Sequence, residues 1–302
     1  MRLEISGLVK RFGDKEVLHG VSFAVESGRA LGFLGRNGAG KSTTIRCAME
    51  VFRQDEGDIL LDGKPFHAKK HRVGYLPEER GMYAKAKVLD QLVYFARLRG
   101  PSKPDAVASA KQWLDYFGLT AAALKPLEQL SKGNQQKVQI AQSLLNDPDL
   151  LILDEPFSGL DPVNAQAFKD AIRDFVRRGK LVIFSSHQMG YVEEMCDDIA
   201  LIDAGSIVLR GDLKQLLLER SQNRWALSAR DNGALAAALV AAFPAARVEN
   251  HKDGLIFNAG KALDQPRLFR LLADAGLSLE RFERWTPTLN DLFIQAVGGE
   301  KA

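Results

Sequence analysis

Cysteine is scarce: the chain holds two, Cys47 and Cys196, in no CxxC or Cys/His grouping. That leaves nothing for a disulfide framework or a zinc site and points to a reducing cytosol. Long apolar runs are missing as well. The longest, ALAAALVAAF at 234–243, stops at Pro244, well short of the roughly 20 residues a bilayer-spanning helix needs, so the chain is not expected to cross a membrane alone. The opening MRLEISG alternates like a strand and carries Glu4, whereas a secretory signal has a basic end followed by an apolar stretch. An excess of one charge is lacking too. The 41 basic residues nearly balance 38 acidic ones, for a net +3, which predicts no nucleic-acid footprint and implies no polyanionic partner. No internal repeat, low-complexity tract or charged linker interrupts the sequence.

What remains is 302 residues, 46% hydrophobic and 26% charged, enough to bury a core and form two domains. Short β-like runs at 2–6 and 17–25 lead to RALGFL, an apolar strand ending at Gly35. From Val88 to Leu124, apolar residues recur at three- and four-residue spacing, which predicts a helical insertion. A helix over 134–145, the strand LLIL, a helix over 163–178 and the strand LVIFSS follow. Such alternation predicts an α/β fold with a mainly parallel sheet covered on both faces. ALIDAGSIVLRGD reads as a hairpin turning at Ala204-Gly205. A second unit starts near Ser221 in the order strand, helix, strand, strand, helix, strand, which suggests a small split βαβ fold. A last helix opens with Thr288 as N-cap and Asp291 three residues on.

The strongest chemical signal is Gly35-Arg36-Asn37-Gly38-Ala39-Gly40-Lys41-Ser42, a match to the phosphate loop GxxxxGK[ST]. Its glycines let backbone N–H groups converge on phosphate oxygens, and the following helix adds its positive end. Lys41 reaches the β- and γ-phosphates of a bound nucleotide, while the Ser42 hydroxyl ligates Mg²⁺. The second signal is LLILDEP, where four apolar residues deliver two carboxylates at the C-terminal end of a buried strand. Asp154 suits a metal, chiefly through water, and Glu155 suits orienting or deprotonating an attacking water. LSKGNQQK, at 130–137, looks like a second anion cradle, although in isolation a plain helix N-cap by Ser131 or Asn134 explains it.

Over about residues 1–215 these motifs resemble the ATP-binding cassette ATPases. GRNGAGKST is similar to the family's Walker A motif, LLILDEP to its Walker B motif with catalytic glutamate, and SGLD (158–161) to its D-loop. SSHQM is similar to the switch-histidine segment, and LSKGNQQK to the signature LSGGQ with Lys132 replacing the first glycine. The resemblance implies an ABC ATPase core with an antiparallel β part and a helical subdomain at about 87–146, within a nucleotide-binding domain at 1–218. Residues 222–302 would form a small α+β accessory domain. ATP and Mg²⁺ are the implied cofactors. Gly35, Asn37, Gly38, Gly40, Lys41, Ser42 and Thr43 would hold the phosphates, with Ser42 and Asp154 at the metal. Glu155, His187 and Lys41 would be catalytic. Two cassettes face head to tail in this family, so Ser131, the Gly133 backbone and the D-loop Asp161 would meet the nucleotide of a partner subunit. Phe12 occupies the place of an adenine-stacking aromatic, with a core phenylalanine as the alternative left open.

One residue departs from the family pattern. Where a glutamine is usual, GYLPEERGMY offers Glu78, which can accept from water or ligate the metal but adds negative charge beside ATP, and a solvated loop acid is its bland alternative. The acidic version, together with PTLNDLFIQAVG near the C-terminus, resembles exporter cassettes that serve ABC-2-type membrane permeases. The expected function is therefore the ATP-hydrolysing subunit of an exporter, working as a homodimer against a separate membrane chain. Its expected place is cytoplasmic, peripheral on the inner face of the membrane. The rival is a soluble cassette ATPase acting on ribosomes or DNA, whose usual two cassettes per chain or long coiled coils are absent.

Overall fold

The computed structural model describes residues 1–78, 81–252, 254–260 and 263–298. The chain divides into two compact units, Met1–Leu213 together with residues 296–298, and Lys214–Gln295. The division falls at 213/214, where Leu213 is buried and its N–H donates to Asp197 O at 2.9 Å.

The first unit opens with β1 (Arg2–Phe12), β2 (Lys15–Glu26), β3 (Ala30–Leu34), α1 (Lys41–Ala48), β4 (Glu56–Leu61), β5 (Lys64–Pro65) and β6 (Val73–Leu76). Three helices, α2 (Val88–Arg97), α3 (Lys103–Tyr116) and α4 (Lys132–Leu144), intervene before β7 (Leu150–Asp154). Then come α5 (Pro162–Arg177), β8 (Leu181–Ser186), α6 (Met189–Met195), β9 (Asp198–Asp203) and β10 (Ser206–Asp212), and α7 (Leu213–Ser221) leads out. Six strands form a sheet in the order β10-β9-β3-β8-β7-β6, parallel except for β10. Every residue of β3, β7 and β8 is buried, as expected of strands covered on both faces. The antiparallel sheet β2-β1-β4-β5 covers one face: Leu8, Leu18 and Val21 share a core with Phe33, Ile152 and Ile183.

Beyond β7, Phe157 is buried and holds the chain down. Its ring stacks on Tyr191 at 4.3 Å and meets Phe168 at 5.6 Å and Phe184 at 6.0 Å. Those three come from α6, α5 and β8, so one side chain anchors the loop leaving the sheet to three elements.

The second unit contains β11 (Arg224–Ala229), α8 (Asn232–Ala242), β12 (Arg247–His251), β13 (Gly254–Asn258), α9 (Gln265–Asp274) and β14 (Leu279–Arg284), and α10 (Leu289–Gly298) begins in it. The strands form an antiparallel sheet in the order β12-β13-β11-β14, the split βαβ arrangement. Leu235 and Leu239 of α8 are buried with Leu227, Phe257, Leu268 and Leu272. The alanine-rich run therefore fully buries only an i, i+4 pair of leucines, with Ala236 partly buried against the same core. Thr288 Oγ1 accepts from Asp291 N at 3.2 Å while Asp291 Oδ2 accepts from Thr288 N at 2.8 Å, a reciprocal cap on α10. Among the described residues, no helix is long and apolar enough to cross a membrane.

Several elements differ from the sequence expectation. β1 runs to Phe12 instead of ending at residue 6, because register shifts let it keep pairing past its alternating start. α4 begins at Lys132, two residues before the expected start, since Ser131 caps it by accepting from Asn134 N at 3.4 Å. β4, β5, β6, α6 and α7 had no counterpart in the sequence reading; β6 has four residues and α6 seven, too few to show a period.

If Phe157 anchors the loop beyond β7, Phe157→Ala should lower the unfolding free energy by about 3–5 kcal/mol. Urea denaturation of the full chain followed by circular dichroism would measure it, and a loss below about 1 kcal/mol would contradict the anchoring.

Candidate nucleotide site

The site is a row across the C-terminal ends of neighbouring parallel strands, where ligands of open α/β sheets bind. In the order β3-β8-β7-β6, the strands end in the glycine loop, in Ser185-Ser186-His187, in Asp154-Glu155 and in Pro77-Glu78. Strands lie about 4.8 Å apart, so sheet order alone gathers segments scattered along the sequence.

The glycine loop spans the gap from β3 to α1. Gly35 and Gly40 are required by different constraints. A Cβ on Gly35 would lie 2.4 Å from Ile202 O on β9, so the loop can sit this low only without a side chain there. Gly40, the N-cap of α1, has φ 113°, a left-handed value that L side chains rarely adopt. Lys41 is buried, and its ammonium donates to Gly35 O at 2.7 Å and Arg36 O at 3.3 Å. Its charge is thereby held over the loop. Unpaired N–H groups of the first turn of α1 and the helix dipole reinforce a positive potential there. Burial pushes the Cys47 thiol on α1 up to about 11, which keeps it inert beside the site.

Asp154 is 2% exposed and Glu155 5% exposed. Two small hydroxyl residues ending β8 meet them. Ser185 Oγ donates to Asp154 Oδ1, and Ser186 Oγ donates to Glu155 Oε2 at 3.4 Å. His187 Nδ1 lies 2.9 Å from Glu155 Oε2. Glu155 has φ 49°, a left-handed conformation unusual for a non-glycine residue and worth about 1–3 kcal/mol of strain. Its N–H bonds to Ser185 O at 3.1 Å, which helps hold that conformation. On β6, burial and then the nearby Asp154 charge both raise the Tyr75 phenol.

One cavity of about 310 Å³ is lined by Arg36, Asn37, Gly38, Gly40, Lys41, Ser42, Thr43, Glu78, Asp154 and Glu155. The glycine loop, both carboxylates and the departing Glu78 thus meet on one wall. Gly35 reaches it through its carbonyl on Lys41, and His187 through Glu155. Ser131, Gly133, Asp161 and Phe12 do not line it. Ser131 and Asp161 are instead N-caps of α4 and α5; Asp161 Oδ1 accepts from Asn164 N at 2.9 Å. Phe12 is 44% exposed, with the Phe52 ring at 5.2 Å, which removes the core-phenylalanine alternative. Glu78 is exposed, so its carboxylate is solvated as well as facing the cavity.

Three residues escaped the sequence reading. Ser185 and Ser186 left a signal, two hydroxyl residues closing an otherwise apolar strand, but their use depends on β8 lying beside β7. Gln136 left none. One turn into α4, its amide donates to Ser158 O at 2.9 Å, and it lines a second cavity with Glu78, Glu155 and Ser158.

A glycine loop between a buried parallel strand and a helix N-terminus, with two carboxylates two strands away, defines an α/β nucleotide-binding protein. Comparison with known proteins gives the family. Residues 18–158 match the ABC transporter family model. YhaQ of Bacillus subtilis (strain 168), an ABC transporter ATP-binding protein, is 38% identical over 98% of this chain and 98% of its own length. The linearmycin resistance ATP-binding protein LnrL of the same organism is 30% identical, again over 98% of each. Among solved structures, an ATP-binding subunit of an ABC transporter aligns with TM-score 0.67 and 27% identity, covering 73% of this chain and 93% of the other. The chain belongs to the ATP-binding proteins of ABC transporters, and it is an ATPase.

The Gly35 contact can be tested apart from any phosphate contact. Gly35→Ala should weaken ATP binding by at least about tenfold, or ~1.4 kcal/mol, because the loop must lift off the Ile202 carbonyl. Isothermal titration with ATP would measure it; unchanged affinity would mean that the loop does not depend on this close approach.

Proposed function

We propose that this chain hydrolyses ATP at a site shared between two copies, and that closure of the pair drives an exporter whose membrane-spanning part is a separate ABC-2-type permease. The observation that carries the catalytic half is the Glu155–His187 contact at 2.9 Å, on the wall that Glu155 shares with Lys41 and Ser42. Glu155 is the base that orients or deprotonates the attacking water. His187 holds that carboxylate in place and can donate to the γ-phosphate. Lys41 and the N–H groups of Asn37, Gly38, Gly40, Ser42 and Thr43 bind the β- and γ-phosphates.

The donors on the wall fit Mg²⁺: the Ser42 hydroxyl and the Asp154 and Glu78 carboxylates are all oxygen ligands on one cavity. When bound, the ion neutralises charge on the β- and γ-phosphate oxygens. Ser185, by donating to Asp154, fixes which carboxylate oxygen remains for the metal or its water.

The dimeric reading is supported by where the signature lies. Ser131 and Gly133 start α4 but are off the wall of their own chain's cavity. A γ-phosphate meeting them then comes from another copy, with Asp161 beside it and Phe12 on the adenine of its own chain's nucleotide. The resistance named for LnrL is what outward transport of a toxic compound provides, and it favours export. A membrane partner would hold the pair at the inner face of the membrane. A cavity of about 1000 Å³, lined in part by Tyr75, Pro77, Met82, Leu98 and Gln139, borders the loop that carries Glu78. A partner segment seated there could move Glu78 relative to the phosphates.

Glu155→Gln should still bind ATP, lose hydrolysis by at least about 100-fold, and accumulate as a dimer with ATP on size exclusion. Lys41→Ala should fail earlier, at ATP binding. Near-normal turnover of Glu155→Gln would remove the proposed base.

A further inference from the structure

Two charged side chains near the nucleotide cavity stand where their own surroundings disfavour them. The first is Lys132. It opens α4 directly after the Ser131 cap, and the first turn of that helix carries no acid. A helix N-terminus favours negative charge, so a lysine there is destabilising unless an anion comes to it. Lys132 is exposed, and its ammonium has no hydrogen-bond or ion-pair partner among the described residues.

The second is Glu78. It lines the cavity of the glycine loop, where Arg36 and Lys41 supply two cations and Asp154 and Glu155 already supply two carboxylates. Glu78 adds a third, exposed and likewise without an ion-pair partner among the described residues. The wall that has to take a triphosphate therefore carries more negative charge than positive. Mg²⁺ leaves bound ATP negative overall, so the metal does not remove that excess. Each residue is misplaced alone, and the two are opposite in sign.

Within one chain they do not meet. Gln136, which shares a face of α4 with Lys132 at i, i+4, lines a small cavity with Glu78, but Lys132 lines neither that cavity nor the larger one. They come together when two copies face head to tail, the reading on which this inference rests. Ser131 of one copy then stands at the γ-phosphate of the other, over the wall formed by Lys41, Ser42 and Glu78. Lys132 is the next residue, and its ammonium sits on a flexible four-carbon stem that can reach past the phosphate. Three cations then face three carboxylates. With water excluded by closure, each opposite-charge contact strengthens, and the N-terminus of α4 receives the anion it lacked.

We propose that Lys132 completes the nucleotide site of the second copy: its ammonium pairs with the partner's Glu78 beside the γ-phosphate, so the charge of the wall is balanced only after two copies have closed on ATP.

Charge reversal in a Glu155→Gln background, followed by sedimentation velocity with ATP, tests this. Lys132→Glu sets two acids face to face at both sites of a homodimer, and Glu78→Lys sets two lysines face to face. Each chain alone should associate at least about tenfold more weakly than the background. An equimolar mixture is different. One composite site pairs Glu78 with Lys132 and the other pairs their two replacements, again with opposite charges, so dimerisation should return. Pairing inside one chain predicts no recovery, because each chain carries its repulsion to every partner. An acid in the first turn suits the helix dipole, so Lys132→Glu leaves α4 intact. If Glu78→Lys folds poorly by circular dichroism, neutral variants replace the swap: Lys132→Met should weaken association at least about tenfold, and by less than about threefold once Glu78→Gln is also present. Reversed chains that dimerise like the background, a mixture of folded chains that fails to recover, or a Lys132→Met loss unchanged by Glu78→Gln would each overturn the proposal. A background that stays monomeric with ATP before any charge is changed would overturn the two-copy reading itself, and this pair with it.

Discussion

A triphosphate has to be held beside two carboxylates that are themselves almost completely buried, Asp154 at 2% and Glu155 at 5% exposure. Like charges this close would expel the ligand unless positive potential were built into the same wall. The sheet supplies it from two strands away. The Lys41 ammonium is fixed over the glycine loop by two carbonyls, and the N-terminus of α1 opens at the same place. The burial of β3, β7 and β8, the low seat of Gly35 on β9 and the Phe157 anchor all keep these opposed charges at fixed separation. Water would weaken every one of these interactions, so the apolar strand interiors matter to the chemistry as well as to stability.

The parts of the site legible in the sequence were those whose chemistry is local. A glycine loop needs its residues consecutive, and Asp154-Glu155 announce themselves because two acids follow an all-apolar strand. What could not be read depends on which strand neighbours which. Ser185 and Ser186 matter only because β8 lies between β3 and β7, and no periodicity encodes strand order. The same holds for His187, whose place in the motif order was evident but whose contact with Glu155 was not. Gln136 was invisible because it lies one turn inside an ordinary helix and acts on a carbonyl 22 residues on. Short elements failed for a different reason. α7 has leucines at 213, 216, 217 and 218 but buries only Leu213, so it has no single apolar stripe to detect.

Gln136 gives the two-copy account a physical link. The helix that starts at the signature is hydrogen-bonded through Gln136 to Ser158, in the loop that begins at Glu155 and ends at the Asp161 cap of α5. A Cβ on Gly159 would lie 2.5 Å from the Gln136 amide nitrogen, so helix and loop are in close contact there. Displacement of Ser131 and Gly133 by a partner's γ-phosphate would therefore be transmitted toward the chain's own Glu155. In this account the two sites of a pair are connected by one helix turn and one short loop, with no need of a longer path.

The central claim is that the signature acts in trans, and mixed dimers test it most directly. Ser131→Arg blocks the signature, Lys41→Ala spoils the glycine loop, and each homodimer should be nearly inactive. In a mixed dimer one composite site collects both lesions while the other is wild type. With random pairing and independent sites, an equimolar mixture should recover roughly a quarter of wild-type ATPase activity, and ATP should be trapped at the single intact site. Mixed dimers shown to form, yet neither trapping nor hydrolysing ATP, would contradict the account.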